Sequence, residues 1–183
     1  IQSLELEWSA RKDFFVGGNM FVYFSETQAK KNDFRGPDVF VVLDTVRKER
    51  KSWVVWEEEG RTPDVVIELL SESTEAVDRG EKMRIYAQML KVGEYFLYDP
   101  FTQALEGYEL NHRTGRYSPM TPDSQGRLPV QRLGIKLGVA PGRFMGREAM
   151  WLRWMDEKGR IFLHSEEWAE QEAQRAEQEA QRA

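Results

Sequence analysis

The sequence predicts a mixed α/β domain, an α+β arrangement around a mixed sheet, followed by a helical tail. Three observations predict it. A strand–helix–strand passage runs from residue 65 to residue 98, the pattern of a right-handed crossover joining parallel strands. Short apolar runs precede that passage and a hairpin follows it, so antiparallel pairs share the sheet. Two seven-residue repeats close the chain.

Taken in order, residues 2–10 pattern as the end of a helix. Phe14–Phe24 is rich in aromatics and contains Gly17-Gly18, which predicts strand, bend and strand. Gly36-Pro37-Asp38 opens the apolar run Val39–Leu43, and Trp53–Trp56 is a further candidate strand. Thr62-Pro63-Asp64 opens a second apolar run, Val65–Leu70. Ser71–Asp78 is polar and loop-like, with several residues suited to capping a helix. Glu81–Leu90 has helical periodicity, with Met83, Tyr86, Ala87 and Leu90 on one face and Gly93 as its stop. Tyr95–Tyr98 is a strand that ends at Asp99-Pro100. Leu105–Leu110 and Arg116–Met120 flank Asn111–Gly115 as a hairpin.

Composition bounds the chemistry. Of 183 residues, 40% are hydrophobic and 31% charged, which is ordinary for a soluble globular domain and enough for a core. The absence of cysteine excludes disulfides, thiolate metal sites and thiol nucleophiles, and it fits the expected cytoplasmic location. With only His112 and His164, histidine-rich metal sites are excluded as well, and each is expected to be a surface polar residue. No segment approaches the roughly 18 consecutive apolar residues of a membrane span, so no membrane partner is expected. The chain opens on Ile1, and its first helix is expected to be truncated.

The formal net charge of −5 is unevenly distributed: −6 over residues 1–106, +5 over 107–164 and −4 over 165–183. The middle block holds Arg113, Arg116, Arg127, Arg132, Lys136, Arg143 and Arg147, either a phosphate-tracking surface or ordinary solvated loop residues. A tighter cluster, Arg47, Lys48, Arg50 and Lys51, lies close to Glu57-Glu58-Glu59. In the tail, alanines at 169, 173, 176, 180 and 183 form one helical stripe. The expected division is a domain at 1–164 and a heptad helix at 165–183. That helix is either a solvated extension or the start of a coiled coil that binds a partner.

Glu68 carries the chemistry. It interrupts the run Val65-Val66-Ile67-Glu68-Leu69-Leu70, where an unpaired carboxylate is costly to bury, so it should be paired, protonated or bound to a metal. Strand alternation puts Asp64, Val66, Glu68 and Leu70 on one face. Asp38 opens a neighbouring strand. Two carboxylates on adjacent strands suit a hard cation such as Mg²⁺ or Mn²⁺. Lys82, on the following helix, could reach back over the sheet, and a lysine beside a bound cation suits phosphodiester hydrolysis. The bland alternative gives each residue an ordinary role: turn-opening aspartates, a solvent-facing Glu68 and a surface Lys82.

The stretches Pro63–Thr74, Asp78–Tyr86 and Val92–Pro100, with Gly36-Pro37-Asp38 upstream, resemble the Uma family of bacterial, often cyanobacterial, endonucleases in the PD-(D/E)XK superfamily. Trp151–Gly159 followed by heptads resembles the C-terminal end of one of its subgroups, and the resemblance covers residues 12–183. It implies a restriction-endonuclease-like core, with a central mixed sheet flanked by helices, and a Mg²⁺- or Mn²⁺-dependent endonuclease acting on DNA. Asp38 matches the family's Pro-Asp aspartate and Glu68 its acidic strand residue. The carbonyl of Leu69 would be a backbone metal ligand. The superfamily's strand lysine falls at Leu70 here, and Lys82 matches the helix position that takes its place. Ser71-Glu72-Ser73 lacks the family's loop proline, and Glu5 and Glu7 are faint candidates for an acidic residue of the first helix. Asp64 is a second-tier site candidate. Because cutting a duplex needs two sites, a homodimer is the expected assembly.

Two other readings compete. The fold could be a catalytically inactive scaffold whose coiled-coil tail recruits a partner. A carboxylate glycosidase is disfavoured, because Asp38 and Glu68 lie on apolar strands beside a lysine. Tyr86 is expected in the core, Trp151 and Trp154 as a packing stripe, and Gly17-Gly18 is no phosphate loop because no Lys-Ser/Thr follows it.

Overall fold

The computed structural model describes residues 1–26 and 35–182. Among these residues, six strands form a central mixed sheet: β1 (Phe14–Gly17), β3 (Val39–Leu43), β5 (Val65–Leu69), β6 (Glu94–Tyr98), β7 (Leu105–Asn111) and β8 (Arg116–Pro119), in that spatial order. Only β5 and β6 run parallel, Val65 facing Glu94 and Leu69 facing Tyr98. The other neighbours are antiparallel. The parallel pair needs a crossover, and the chain supplies it as a helical segment: α2 (Glu75–Val77), a π-helical turn (Asp78–Lys82) and α3 (Met83–Gln88). A parallel pair of two short strands, β2 (Val22–Tyr23) and β4 (Trp53–Val54), lies beside the sheet.

Alternation along the strands builds two cores. Phe14, Val16, Val41, Val65, Ile67 and Phe96 face one way and pack with Leu4 of α1 (Gln2–Glu7) and with a second sheet. Phe15, Phe40, Val42, Val66, Tyr95 and Leu97 face the other way, against Trp53, Ile85, Tyr86 and Leu90. Each fully buried Val, Leu, Ile or Phe contributes about 1.5–3 kcal/mol, so two apolar faces outweigh one misplaced carboxylate. By its spacing from Val66, Glu68 belongs to the helix-covered face.

The second sheet is antiparallel: β9 (Leu128–Val130), β10 (Ile135–Phe144) and β11 (Arg147–Met155). It packs on the same face of the central sheet as α1, and of the basic block Lys136, Arg143 and Arg147 lie on its strands rather than in loops. Trp154 on β11 is in the core, and Trp151 donates its indole N–H to the Gly142 carbonyl at 2.9 Å. Other expected bounds move less. Helical structure begins at Glu75, inside the stretch expected to be loop, and the turn after α3 is made by Lys91, which holds φ +54°, rather than by Gly93.

The last helix, α4 (Ser165–Arg182), is docked at its first turns. Glu167 accepts both guanidinium ends of buried Arg153, at 3.0 and 2.5 Å, and Glu166 accepts the Gly146 N–H. A side chain at Gly142 would overlap Arg153, so that glycine is required. Beyond these contacts α4 is exposed along its length, and Ala183 of the alanine stripe lies outside the described residues. No helix among the described residues is long and apolar enough to cross a membrane.

Candidate active site

The register of β3 against β5 pairs Val39 with Ile67, which places Asp38 across from Glu68. Two bonds tie the strand ends together. The Asp38 carboxylate accepts the Leu69 backbone N–H at 2.7 Å, and the Asp38 N–H points to Glu68 Oε2 at 3.4 Å. On the β1 side, the Asn19 N–H reaches the Asp38 carbonyl at 3.3 Å. A Cβ at Gly18 would stand 2.8 Å from that carbonyl, so Gly18 lets the chain approach Asp38 closely.

The helical segment supplies the other half. Asp78, Lys82 and Tyr86 follow one another at intervals of four, which keeps them on one side of the helix. The Lys82 ammonium lies 3.2 Å from Glu68 Oε2 and 2.8 Å from Asp78 Oδ1. The second contact is an ion pair by distance, but its angles fall outside hydrogen-bond geometry. The Tyr86 hydroxyl donates to Glu68 Oε1 at 2.8 Å. From β6, the Tyr95 hydroxyl donates to the Asp78 carbonyl at 2.9 Å. The π turn lies between Asp78 and Lys82, and such turns occur frequently at functional sites.

Glu68 and Asp78 are each 1% exposed, whereas the Lys82 side chain is 19% exposed. Burial pushes the Glu68 carboxyl up to about 7; Lys82 and the Tyr86 hydroxyl pull the other way without overcoming it. For Lys82, burial favours the neutral amine, but the carboxylates of Glu68 and Asp78 outweigh it and raise the ammonium above its ordinary range. Burial and the neighbouring Glu68 raise the Tyr86 phenol strongly, so it stays protonated and donates.

The structure therefore brings Asp38, Glu68 and Lys82 together, with the Leu69 backbone beside them. It separates Asp64. That residue lies four positions up β5, roughly 13 Å away along the strand. One of its oxygens accepts the Leu43 N–H at 2.8 Å and the other is paired with Arg132. Leu70 is buried in the core at the position of the superfamily lysine, so Lys82 is the cation that meets Glu68. Glu5 and Glu7 lie on α1, and Glu7 pairs with Arg160 on the opposite side of the sheet from Lys82.

Asp78 was missed by the sequence reading, although its spacing from Lys82 and Tyr86 was a usable signal. Tyr86 is a core residue, as expected, and also a hydrogen-bond donor to Glu68. Much of the basic block is consumed internally: Arg127 and Lys136 pair with Asp123, Arg132 with Asp64, and Arg143 with Glu170. Arg50 and Lys48 likewise pair with Glu58. His164, expected at the surface, is part-buried against Phe144 with both ring nitrogens shielded from solvent.

Among the described residues no group of three or more His, Cys, Asp or Glu side chains is arranged to hold a metal ion. The oxygen donors that meet at the strand ends are two carboxylates, Asp38 and Glu68, with the Leu69 backbone alongside. An all-oxygen set with one or two carboxylates fits Mg²⁺, which keeps several of its waters, better than Zn²⁺.

The chain is similar to known proteins. One curated relative, an uncharacterized protein of Synechocystis sp., is 29% identical over 103 residues. That alignment covers 56% of this chain and 50% of the relative, so the chain spans half the length of the curated relative it matches. The crystal structure of "a putative nuclease belonging to DUF820 from Anabaena variabilis" superposes with a TM-score of 0.49 and 16% identity, covering 71% of this chain and 66% of that one. Residues 2–140, well over half of the chain, match the model of Uma2, described as "Putative restriction endonuclease". The chain belongs to the Uma2 family.

Proposed function

We propose that this protein is an endonuclease that hydrolyses DNA phosphodiester bonds with a divalent cation, Mg²⁺ or Mn²⁺. The observation that carries the reading is the convergence of Asp38, Glu68 and Lys82 at the ends of β3 and β5, in a chain whose family is described as "Putative restriction endonuclease". Asp38, Glu68 and the Leu69 carbonyl would hold the cation. When bound, it would supply Lewis-acid stabilisation of charge on the phosphoryl oxygens.

In the overall reaction a water oxygen bonds to phosphorus, the bond to the leaving sugar oxygen breaks, and the water's proton ends on solvent or the leaving group. The chain's own groups prepare for this. The Leu69 N–H fixes the Asp38 carboxylate before substrate arrives. The Tyr86 hydroxyl donates to Glu68 and fixes the orientation of that carboxylate. The part-exposed Lys82 ammonium faces the anionic substrate and offsets charge as it builds on phosphorus.

One observation favours a second reading. Glu68 already has both oxygens engaged, by Lys82 and Tyr86, as a purely structural ion pair would. Supercoiled-plasmid nicking in Mg²⁺, Mn²⁺ and EDTA separates the two. The nuclease reading expects metal-dependent cleavage by wild type and a loss of at least about 10²-fold in folded Glu68→Gln and Asp38→Asn variants. Full activity in Glu68→Gln refutes the site, and a folded wild type inert in both metals favours the scaffold.

A further inference from the structure

We propose that Asp78 is a positioning residue: it is the second anchor that fixes the Lys82 ammonium beside Glu68, and it does not itself meet substrate. Its catalytic consequence rests on the nuclease reading above, whereas its geometric content does not.

Asp78 is almost wholly buried, so no phosphate can reach it. The Lys82 ammonium is its one ion-pair partner among the described residues, and lies closer to it than to Glu68, at 2.8 against 3.2 Å. A buried carboxylate is costly to retain unless it is paired, so this one depends on Lys82. The dependence runs the other way too. Held by Glu68 alone, a flexible four-carbon side chain would settle onto Glu68 Oε2 beneath the surface. Asp78 pulls from the helix side and leaves the ammonium between two carboxylates, on a side chain that is 19% exposed.

The backbone around Asp78 is fixed for the same purpose. Its carbonyl lies in the π turn, and the Tyr95 hydroxyl reaches from β6 to hold it. Tyr95 also packs on Tyr86, with ring centroids 5.3 Å apart, and Tyr86 holds Glu68. Strand β6 thus sets both partners of Lys82 through two tyrosines.

The test has two arms. In single-turnover plasmid cleavage, Asp78→Asn should lower the rate by about 10²-fold, as expected for a displaced charge, with DNA affinity unchanged. In a Lys82→Met background, Asp78→Asn should add nothing; with Lys82 present, Asp78→Glu, which keeps the charge, should retain more of the rate than Asp78→Asn. Independent, additive losses would overturn the proposal. In the second arm, the side-chain ammonium resonance of Lys82 is recorded by ¹⁵N NMR, assigned by its disappearance in Lys82→Met. It should broaden or shift in Asp78→Asn; an unchanged signal overturns the proposal even if the wild type cleaves nothing. Absence of wild-type cleavage, with the resonance responding as expected, refutes the nuclease reading and leaves the anchor in place. Should Asp78→Asn fail to fold, Asp78→Glu carries both arms: a partial rate with a shifted Lys82 signal supports the anchor, and an unchanged rate and signal, or a rate as low as Lys82→Met, overturns it.

Discussion

Replacing Glu167 by Gln should cost up to about 3 kcal/mol at neutral pH, the part-exposed carboxylate being screened by solvent, and almost nothing in strong acid. The Glu167 carboxylate accepts four bonds: two from Arg153, one from the His164 N–H at 2.9 Å and one from the Arg143 N–H at 3.0 Å. Burial alone would raise its pKa, but the Arg153 guanidinium and the two backbone N–H groups outweigh burial and bring it from 4.5 down to about 2. That gap, at 1.36 kcal/mol per unit, corresponds to about 3 kcal/mol. The pKa is depressed on folding, so the stabilisation is complete above pH 4.5 and disappears as pH falls through about 2. A second route gives the same size. Orphaning one member of a buried ion pair costs about 3–5 kcal/mol, and the low end applies because Arg153 keeps the Phe162 carbonyl at 3.0 Å. Urea unfolding of wild type and Glu167→Gln at pH 7 and pH 2.5 measures the difference. A loss under about 1 kcal/mol at pH 7, or an equal loss at both pH values, would refute the reasoning.

Two further outcomes follow from other buried groups. Glu94 is 1% exposed and caps the turn at Gln131 and Arg132, and burial pushes its carboxyl up to about 7 despite those N–H donors. The folded state then holds a proton that the unfolded chain has released, so stability should fall as pH rises from 4.5 to 7. Glu94→Gln should remove up to about 3 kcal/mol of that decline, and an unchanged slope between pH 5 and pH 8 refutes the assignment. Gly18→Ala drives a methyl against the Asp38 carbonyl and should cost about 1–3 kcal/mol. It should also lower nuclease activity by more than its melting shift accounts for, and wild-type activity would show that Asp38 had not moved.

The strand–helix–strand passage and the hairpin were legible because hydrophobic alternation and turn residues are local signals. So were Asp38, Glu68 and Lys82 as candidates: a carboxylate inside an apolar run is visible without coordinates, Lys82 stands on the next helix within reach of the sheet, and the family resemblance matches all three. The second sheet was not legible. Its strand β9 is three residues long, and half of β11 lies exposed, so neither shows clean alternation. Asp64 looked equivalent to Glu68 because alternation reports a face and not a position along the strand. What separates them is Arg132, 68 residues away in sequence, and a partner at that distance leaves no local trace. The same holds for Asp78. Its burial depends on Tyr95 arriving from a later strand, whereas a lone acidic residue before a helix patterns as a cap.

The bond from the Leu69 N–H to the Asp38 carboxylate has a spectroscopic consequence. An amide proton that ends on a carboxylate senses the charge there directly. Leu69 is the last residue of β5, with its side chain 42% exposed, yet its N–H is held at 2.7 Å from an anion. Its proton resonance should therefore lie downfield and move whenever that carboxylate is neutralised, protonated or drawn toward another cation. The backbone thus carries a native sensor of the candidate site's electrostatic state, readable without a label, a substrate or turnover.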